Sequence, residues 1–353
     1  MAMATPTPPS ASCCLVGPVP FKDIVGGEED DRITPPEECG HIISTLPTIA
    51  LYGRFVHHQY QGAWVIHERM PGVLSFQRRF TLRPGDVLLA SPPKCGTTWL
   101  KAMSFAIMAR AAYPPSAADH PLLRLNPHEC VPFIDDLFSA GHDTKLEALP
   151  SPRLMNTHIQ HSLLPASVAD NPNAKIVYIC REPKDMLVSM WHFGNTIHPC
   201  EFSALFESVC EGKTTDGPMW DHVLGYWRAS KATPERVFFL RYEEILLNPV
   251  DNVIKLARFL GVPFSAADEA AGLPADIVML CSIETMKGLE ANKTGASGLF
   301  YKYPHEANFR KGVIGDWVNH MTREMARRLD DIVEDKLRGS GLSFGSSNGR
   351  GGI

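Results

Sequence analysis

The sequence of 353 residues contains no long apolar run and no secretory signal. No stretch approaches the roughly 18 uninterrupted apolar residues that indicate a membrane-spanning helix. The first residues, MAMATPTPPSASCC, include neither a basic region nor a continuous apolar core, and a secretory signal requires both. These absences predict a soluble, cytoplasmic protein with no membrane partner.

The sequence also has no large excess of positively or negatively charged side chains. Lys and Arg together number 34, and Asp and Glu number 39, which gives a formal net charge of −5. Such a balance exerts no general attraction on nucleic acid or on an anionic membrane. We therefore expect no nucleic-acid partner, and any anion that the protein binds must be held by a local cluster of cations.

The spacing of the nine cysteines indicates neither a disulfide framework nor a metal-binding pattern. No pair has C-x-x-C spacing, and no group of Cys and His has the spacing of a zinc finger. The sequence thus predicts free thiols in a reducing compartment and no metal site.

The bulk composition is that of a globular protein, with 44% hydrophobic and 21% charged residues. Residues 1–45 are rich in Pro, Ser and acidic side chains, and residues 339–353 are rich in Gly and Ser. We interpret the first segment as a disordered leader and the second as a flexible tail. Because no linker interrupts the residues between them, 46–338 are predicted to form a single domain.

Three short apolar runs have the pattern of strands that are buried on both faces. Each run is continuous rather than alternating, which is typical of a parallel sheet. The runs lie at 87–90, 176–180 and 237–240. Helical patterns follow them at 97–112, 184–193 and 250–260. This repeated order predicts an α/β fold, a central parallel sheet flanked by helices.

The segment between the first run and its helix has the composition of an anion-binding loop. It reads SPPKCGTTW at 91–99, so Lys94, Gly96 and two threonines stand where the helix begins. At a helix start, free backbone N–H groups and the positive end of the helix dipole attract anions. The lysine and the hydroxyls add further groups that bind an anion at the same place. A Walker A loop is different, since its lysine follows the second glycine. A small P-loop kinase nevertheless remains an alternative.

Two separated motifs resemble the signatures of cytosolic sulfotransferases of the plant type. Residues 93–99 (PKCGTTW) are similar to the family's phosphosulfate-binding loop, and residues 309–317 (FRKGVIGDW) to its second signature. Weaker matches, YQG at 60–62 and WDHVLGYW at 220–227, extend the resemblance over about 50–340. The resemblance implies the sulfuryl donor 3′-phosphoadenosine 5′-phosphosulfate (PAPS), the product 3′,5′-adenosine bisphosphate (PAP), no metal, and a P-loop-like loop.

The resemblance also implies which residues bind the nucleotide. Lys94 would bind the nucleotide and would also stabilise the leaving group. Trp99 and Tyr242 would contact the adenine. Cys281–Ile283 would add a further adenine contact. The full set is Lys94, Cys95, Gly96, Thr97, Thr98, Trp99, Arg181, Ser189, Tyr242, Arg310, Lys311 and Gly312.

On the acceptor side, the resemblance implies that His158 is the general base. It follows a short strand in the sequence LMNTH, and an imidazole suits this chemistry because its pKa lies near neutrality. Asn156 stands where many animal members have a second lysine, so Lys94 is the main cation on the sulfuryl group. The predicted catalytic residues are therefore His158 and Lys94.

The expected acceptor is a small hydroxylated, apolar metabolite such as a flavonoid, a steroid or a hydroxy-oxylipin. Aromatic side chains are expected to line its pocket, with candidates at Trp64, Phe133, Trp191, Phe193, Trp220 and Tyr301. Each of them could equally be an ordinary core residue, and we expect this for about half of the set. Residues 287–305 are a candidate lid. The dimer signature of animal members is absent, so we expect a monomer. A non-catalytic, nucleotide-binding member of the same fold is the alternative from a different class.

Overall fold

The computed structural model of the chain describes residues 17–25, 40–51 and 54–344. Its strands are β1 (Thr48–Leu51), β2 (Phe55–Tyr60), β3 (Ala63–Ile66), β4 (Val87–Ala90), β5 (Leu154–Thr157), β6 (Lys175–Cys180), β7 (Val237–Arg241), β8 (Ala296–Ser297) and β9 (Tyr303–Pro304). The α-helices are α1 (Phe21–Val25), α2 (Gly40–Ser44), α3 (Met70–Arg79), α4 (Thr97–Met108), α5 (Pro127–Cys130), α6 (Ile134–Ala140), α7 (Ala166–Ala169), α8 (Pro183–Ile197), α9 (Phe202–Cys210), α10 (Met219–Ala232), α11 (Tyr242–Leu247), α12 (Pro249–Leu260), α13 (Ala266–Ala270), α14 (Leu273–Leu280), α15 (Ile283–Gly288), α16 (Glu290–Lys293) and α17 (Arg323–Leu337). Short 3₁₀ helices lie at His67–Arg69, Pro121–Leu123, Asp143–Ala148, His161–Leu163, His305–Asn308 and Asp316–Asn319.

The central sheet is parallel and has the strand order β5-β4-β6-β7. The prediction of an α/β fold is therefore confirmed. Alternate residues of β4 enter two separate apolar clusters, with Leu88 and Ala90 on one face and Val87 and Leu89 on the other. Both faces of the strand are thus covered, which explains why its sequence is continuously apolar.

The helices after these strands follow the sequence pattern with shifted ends. α4 stops at Met108, four residues before the predicted end, while α8 begins at Pro183 and extends to Ile197. The Glu182 side chain caps α8 by accepting a hydrogen bond from the backbone N–H of Asp185. α12 ends as predicted at Gly261, whose left-handed backbone (φ 83°) closes the helix.

Two small antiparallel sheets were not predicted from the sequence. One contains β1, β2 and β3, and the other is the hairpin of β8 and β9. β3 is tied to the loop before α10, because Trp64 N–H donates to the Gly217 carbonyl and Asp216 N–H donates to the Trp64 carbonyl, both at 2.8 Å. These bonds bring residues 214–217 against the N-terminal sheet.

Parts of the predicted leader and tail are packed on the domain. Val19 and Ile43 are buried in the core, so their segments gain from the removal of apolar surface from water. At the other end Leu342 is buried, and the Ser340 carbonyl accepts a hydrogen bond of 2.9 Å from the indole of Trp227. The remaining residues of the two predicted segments lie outside the described residues. No helix in the described part of the chain is long and apolar enough to cross a membrane.

Candidate active site

A cavity of about 1260 Å³ lies at the carboxyl ends of the parallel strands. Lys94, His158, Arg181 and Tyr242 line it, and each follows a different strand of the central sheet. Ligands are expected at this edge, because the connections that leave two neighbouring strands run to opposite sides of the sheet. A crevice opens between them. One concave site thus contains residues that are far apart in the sequence.

The loop from β4 to α4 reaches the cavity through two left-handed residues. Lys94 has a φ of 66° and Gly96 a φ of 98°. A Cβ atom on Gly96 would lie only 2.8 Å from Cδ2 of Tyr242, so a side chain has no room there. The buried hydroxyls of Ser91 and Thr97 are joined by a hydrogen bond of 2.7 Å, which braces the loop across its base. α4 therefore presents its first backbone N–H groups to the cavity.

Lys94 lies in a strongly electropositive part of this cavity. Its ammonium group is 3.9 Å from the centre of the Phe193 ring. Burial, together with the charges of Arg181 and Arg310, lowers the pKa of Lys94 to about 7. No ion pair joins Lys94 to another residue that the structure describes. An anion bound here would therefore relieve the repulsion between these cations.

Arg181 is a buried cation with an unused hydrogen-bond donor. Its side chain is 7% exposed, and its guanidinium lies 4.5 Å from the centre of the Tyr242 ring. Nη2 donates to the Val313 carbonyl at 2.8 Å, whereas the buried Nε has no partner among the described residues. A buried guanidinium N–H that is left unpaired is costly. Its position in the cavity wall therefore fits an anionic ligand.

The second motif is folded onto the start of α8. The carboxylate of Asp185 accepts hydrogen bonds from the backbone N–H groups of Gly315 (2.6 Å) and Trp317 (3.0 Å). Arg310 and Lys311 both form ion pairs with Asp316. Burial opposes ionisation of Asp316, but the hydrogen bonds from these cations outweigh it and hold the pKa well below its usual range. The motif thus keeps two ordered cations at the cavity.

His158 is oriented by two different parts of the chain. Its Nδ1 lies 2.7 Å from the carbonyl oxygen of Ser91, and its backbone N–H donates to Asp135 at 2.9 Å. A carbonyl can only accept, so Nδ1 carries the hydrogen and Nε2 keeps its lone pair. Burial lowers the pKa of His158 to about 3, against the effect of the Ser91 hydrogen bond. The imidazole is therefore neutral at pH 7 with a free lone pair on Nε2, and burial makes it a weaker base than the near-neutral pKa of a free imidazole implied.

His128 lines the cavity and Lys101 lies behind it, but neither residue was predicted from the sequence. Lys101 is fully buried, and its Nζ lies 3.1 Å from Nδ1 of His128. Nε2 of His128 lies 3.0 Å from the hydroxyl of Thr98. A buried lysine three residues after Thr98 lies on the same helix face, and this spacing was the available signal for Lys101. His128 comes from a distant segment, so no local pattern indicated it.

Nearly all predicted nucleotide-binding residues line the cavity. Cys95 differs, because its side chain is 1% exposed and packs in the hydrophobic core. The predicted Cys281–Ile283 segment also lines the cavity. The predicted nucleotide-binding residues that line the cavity are Lys94, Gly96, Thr97, Thr98, Trp99, Arg181, Ser189, Tyr242, Arg310, Lys311 and Gly312.

Half of the aromatic candidates for the acceptor pocket line the cavity, namely Phe133, Phe193 and Tyr301. The three tryptophans among the candidates do not line it, in line with the expectation that about half of the set would be ordinary core residues. Trp64 and Trp220 are buried in the protein, and the indole of Trp191 donates to the Cys200 carbonyl at 2.9 Å. Aromatic side chains also fill cores, and composition alone does not separate the two uses.

The candidate lid lies over one side of the cavity. Residues 296–305 line it, and they contain the hairpin of β8 and β9. The Tyr301 hydroxyl donates to Glu68 at 2.6 Å and anchors the segment to the turn after β3. The segment therefore contributes wall residues to the site.

The chain resembles known proteins in both sequence and fold. Residues 84–341 match the model of the sulfotransferase domain. Cytosolic sulfotransferase 8 of Arabidopsis thaliana is 42% identical over 316 residues, which cover 87% of this chain and 93% of that protein. A crystal structure of an Arabidopsis thaliana sulphotransferase is 37% identical, with a TM-score of 0.70, and the match covers 90% of this chain and 98% of the other.

A second solved structure, mouse sulfotransferase SULT7A1 in complex with PAP, is 27% identical with a TM-score of 0.62. It covers 80% of this chain and 95% of the mouse chain. The family match, these relatives and the two motifs joined in one cavity agree, and the chain belongs to the sulfotransferase family as an enzyme that transfers sulfuryl groups.

Proposed function

We propose that the enzyme transfers the sulfuryl group of PAPS to a hydroxyl of a small, apolar acceptor. The observation that carries this proposal is the convergence of Lys94, Arg181 and Arg310 on one cavity beside a helix N-terminus. A doubly phosphorylated nucleotide matches this density of positive charge. The related mouse enzyme, which was solved with PAP, supports the same ligand class.

The residues present fit PAPS, since the unpaired Nε of Arg181 and the mutual repulsion of the cations both call for an anion. Lys94, Thr97 and Thr98 would hold the 5′-phosphosulfate, together with the backbone N–H groups that start α4. Trp99 and Tyr242 would contact the adenine; their rings already meet edge to face at 5.6 Å. The 3′-phosphate would be held by Arg181, Ser189, Arg310, Lys311 and Gly312.

PAPS supplies the activated sulfuryl group when it is bound. His158 would remove the proton of the acceptor hydroxyl with Nε2, since Nδ1 is engaged by Ser91. Lys94 would place a positive charge where negative charge develops on the leaving oxygen. Positioning and charge stabilisation would then provide most of the rate acceleration, as in phosphoryl transfer.

The acceptor would lie on the His158 side of the cavity. Phe133 packs on His158 with 4.9 Å between the ring centres, and Phe193 packs on Tyr303 at 4.7 Å. These rings form an apolar wall that suits flavonoids, steroids or hydroxy-oxylipins. We also propose that the enzyme is cytoplasmic and monomeric.

A thermal-shift experiment tests the nucleotide. PAP at 100 times its dissociation constant should stabilise the protein by about 2.7 kcal/mol and raise Tm by about 5 °C. Mg-ATP at the same concentration should raise Tm much less, and the reverse order would support a kinase. Arg310→Ala should weaken PAP binding, whereas Arg258→Ala, which changes an exposed arginine on α12, should not.

The reaction itself is tested with labelled PAPS and a panel of hydroxylated metabolites. Transfer to at least one apolar alcohol or phenol is expected. Stabilisation by PAP without transfer to any acceptor would instead identify a non-catalytic nucleotide-binding protein.

A further inference from the structure

Asp216 is a buried acid in the cavity wall that the proposed reaction does not use. Its side chain is 8% exposed, and it follows Thr215 in the segment that pairs with β3. The Asp216 carbonyl accepts a hydrogen bond of 3.2 Å from the side chain of Gln160. Gln160 is two residues after His158, so Asp216 is tied to the segment that carries the proposed base.

The carboxyl group of Asp216 has no hydrogen-bond partner in the part of the chain that the structure describes. Its Oδ2 is fully buried and unpaired. The nearest hydroxyl in sequence is already engaged, because Thr215 Oγ1 is hydrogen-bonded to Nε2 of His57 at 2.8 Å. A buried acceptor without a donor costs free energy, and a ligand in the cavity that Asp216 lines offsets this cost once the carboxyl group turns toward it.

The neighbouring charges do not satisfy Asp216 either. Arg69 is the nearby cation, but its guanidinium is paired with Asp136 at 3.1 Å. Burial raises the pKa of Asp216 to about 7; Arg69 opposes this shift, and Asp135 and Asp136 reinforce it. Three carboxyl groups therefore share one arginine, and the balance of charge here favours a ligand that donates hydrogen bonds or carries positive charge.

The backbone of Asp216 has a strained conformation that the surrounding structure holds in place. Its φ is 59°, in the left-handed region that few residues other than Gly, Asn and Asp adopt readily. The same segment is held on one side by Trp64 and on the other by Gln160. The backbone of Asp216 is thus held in place from two sides at the wall of the cavity.

We infer that Asp216 binds a hydrogen-bond donor of the acceptor molecule, a hydroxyl or an amine remote from the group that is sulfated. This inference rests on the proposed sulfotransferase function and narrows its substrate class. Acceptors would be bifunctional, with one hydroxyl at His158 and a second donor at Asp216. A purely apolar acceptor would leave the carboxyl unpaired and would bind less tightly.

Three phenols of matched size test the inference. They are 4-propylphenol, 4-(2-hydroxyethyl)phenol and 4-(2-aminoethyl)phenol, which carry a methyl, a hydroxyl and an ammonium group at the same place. The wild-type enzyme should show kcat/KM values at least about tenfold higher for the last two. A steroid with one hydroxyl, compared with the same steroid carrying a second hydroxyl at its far end, tests a longer span.

Asp216→Asn identifies the group responsible, because asparagine keeps the shape and tolerates the left-handed backbone. Its kcat/KM should fall about tenfold or more for the ammonium acceptor, the size expected for a hydrogen bond to a charged group. The value for 4-propylphenol should change less than about twofold. Asp251→Asn, an exposed acid on α12, is the matched control and should behave as wild type.

Other outcomes would overturn the inference. Equal kcat/KM values for the paired acceptors would mean that solvent satisfies the carboxyl, and an equal loss on all acceptors would mean that Asp216 is only structural. If no acceptor is sulfated, calorimetric titration of the same compounds into the PAP complex still measures the preference. Failure of PAP to bind at all would instead contradict the proposed function.

Discussion

The Nδ1 atom of His158 lies 2.7 Å from the carbonyl oxygen of Ser91, the residue that immediately follows β4. Ser91 also braces the phosphate loop through its hydroxyl, which is hydrogen-bonded to Thr97. The proposed base and the proposed phosphate loop are therefore positioned by the same residue. This relationship couples the direction of the His158 lone pair to the geometry of the loop.

His158→Ala should remove the proton acceptor and lower kcat by at least about a hundredfold, within the usual range for a general base. The affinity for PAP, measured by calorimetric titration, should change less than about twofold, since none of the nucleotide contacts is altered. His41→Ala, which changes an exposed histidine in α2, is the control. Retained turnover in His158→Ala would exclude His158 as the base.

Lys94 should make the binding of PAP depend on pH. Its pKa is lowered to about 7, so the free protein loses the Lys94 charge as the pH rises above 7, and an anionic ligand must restore it. Affinity for PAP should fall by up to about tenfold per pH unit between pH 7 and 9. His158 does not titrate in this window, because its pKa is about 3.

The matched variant for this prediction is Lys94→Met, which should bind PAP more weakly and with a flatter pH dependence. Lys101 and Asp216, whose pKa values burial also shifts to about 7, would account for any slope that remains. An unchanged slope in Lys94→Met would contradict the assignment to Lys94. The measurement is a PAP titration at several pH values and constant ionic strength.

Lys101 and His128 should orient the hydroxyl of Thr98. A charged Lys101 only donates, so His128 accepts at Nδ1 and donates from Nε2 to the Thr98 oxygen. The Thr98 hydrogen is then free to donate to a phosphate. His128→Leu should weaken PAP binding about 2- to 13-fold, the value of one hydrogen bond.

A double-mutant cycle separates orientation from simple packing. If His128 acts through Thr98, the effect of His128→Leu on PAP affinity should largely vanish in a Thr98→Val background. Lys101→Met should behave in the same direction as His128→Leu. Additive effects of the two changes would show that His128 acts independently of Thr98.

Gly96→Ala should disrupt the phosphate loop. An added Cβ would lie 2.8 Å from Tyr242 and 3.2 Å from Ile179, and the left-handed backbone adds about 1–2 kcal/mol of strain. Gly261→Ala has a similar φ but meets nothing within 4 Å, so it isolates the strain. Both variants should lose stability on thermal unfolding, but only Gly96→Ala should lose PAP affinity. Normal PAP binding by Gly96→Ala would show that the loop tolerates a side chain.

The strands and the phosphate loop could be predicted because their signals are local. A continuous apolar run such as 87–90 already implies burial on both faces, and the order Lys94, Gly96, Thr97 already implies an anion at a helix start. The ends of the helices could not be predicted in the same way, since α8 extends four residues beyond its predicted end. Capping and contacts with other elements decide such ends, and a local pattern does not contain them.

Other features could not be predicted because they depend on contacts between distant segments. His128 reaches Thr98 across 30 residues, and Asp216 reaches Gln160 across 56. The aromatic candidates show the same limit, since Phe133 lines the cavity and Trp220 is buried in the core. Nothing in the local sequence distinguishes a wall residue from a core residue of the same chemistry.

The sequence by itself determined the α/β architecture, the two signature motifs and the cations available to bind a nucleotide. Only the tertiary structure decided which side chains share the cavity, which nitrogen of His158 keeps its lone pair, and that Asp216 is left without a donor. The physical reason is that patterning acts through burial along one segment, whereas a binding site depends on directional contacts. Those contacts exist only after the strands have brought their carboxyl ends together.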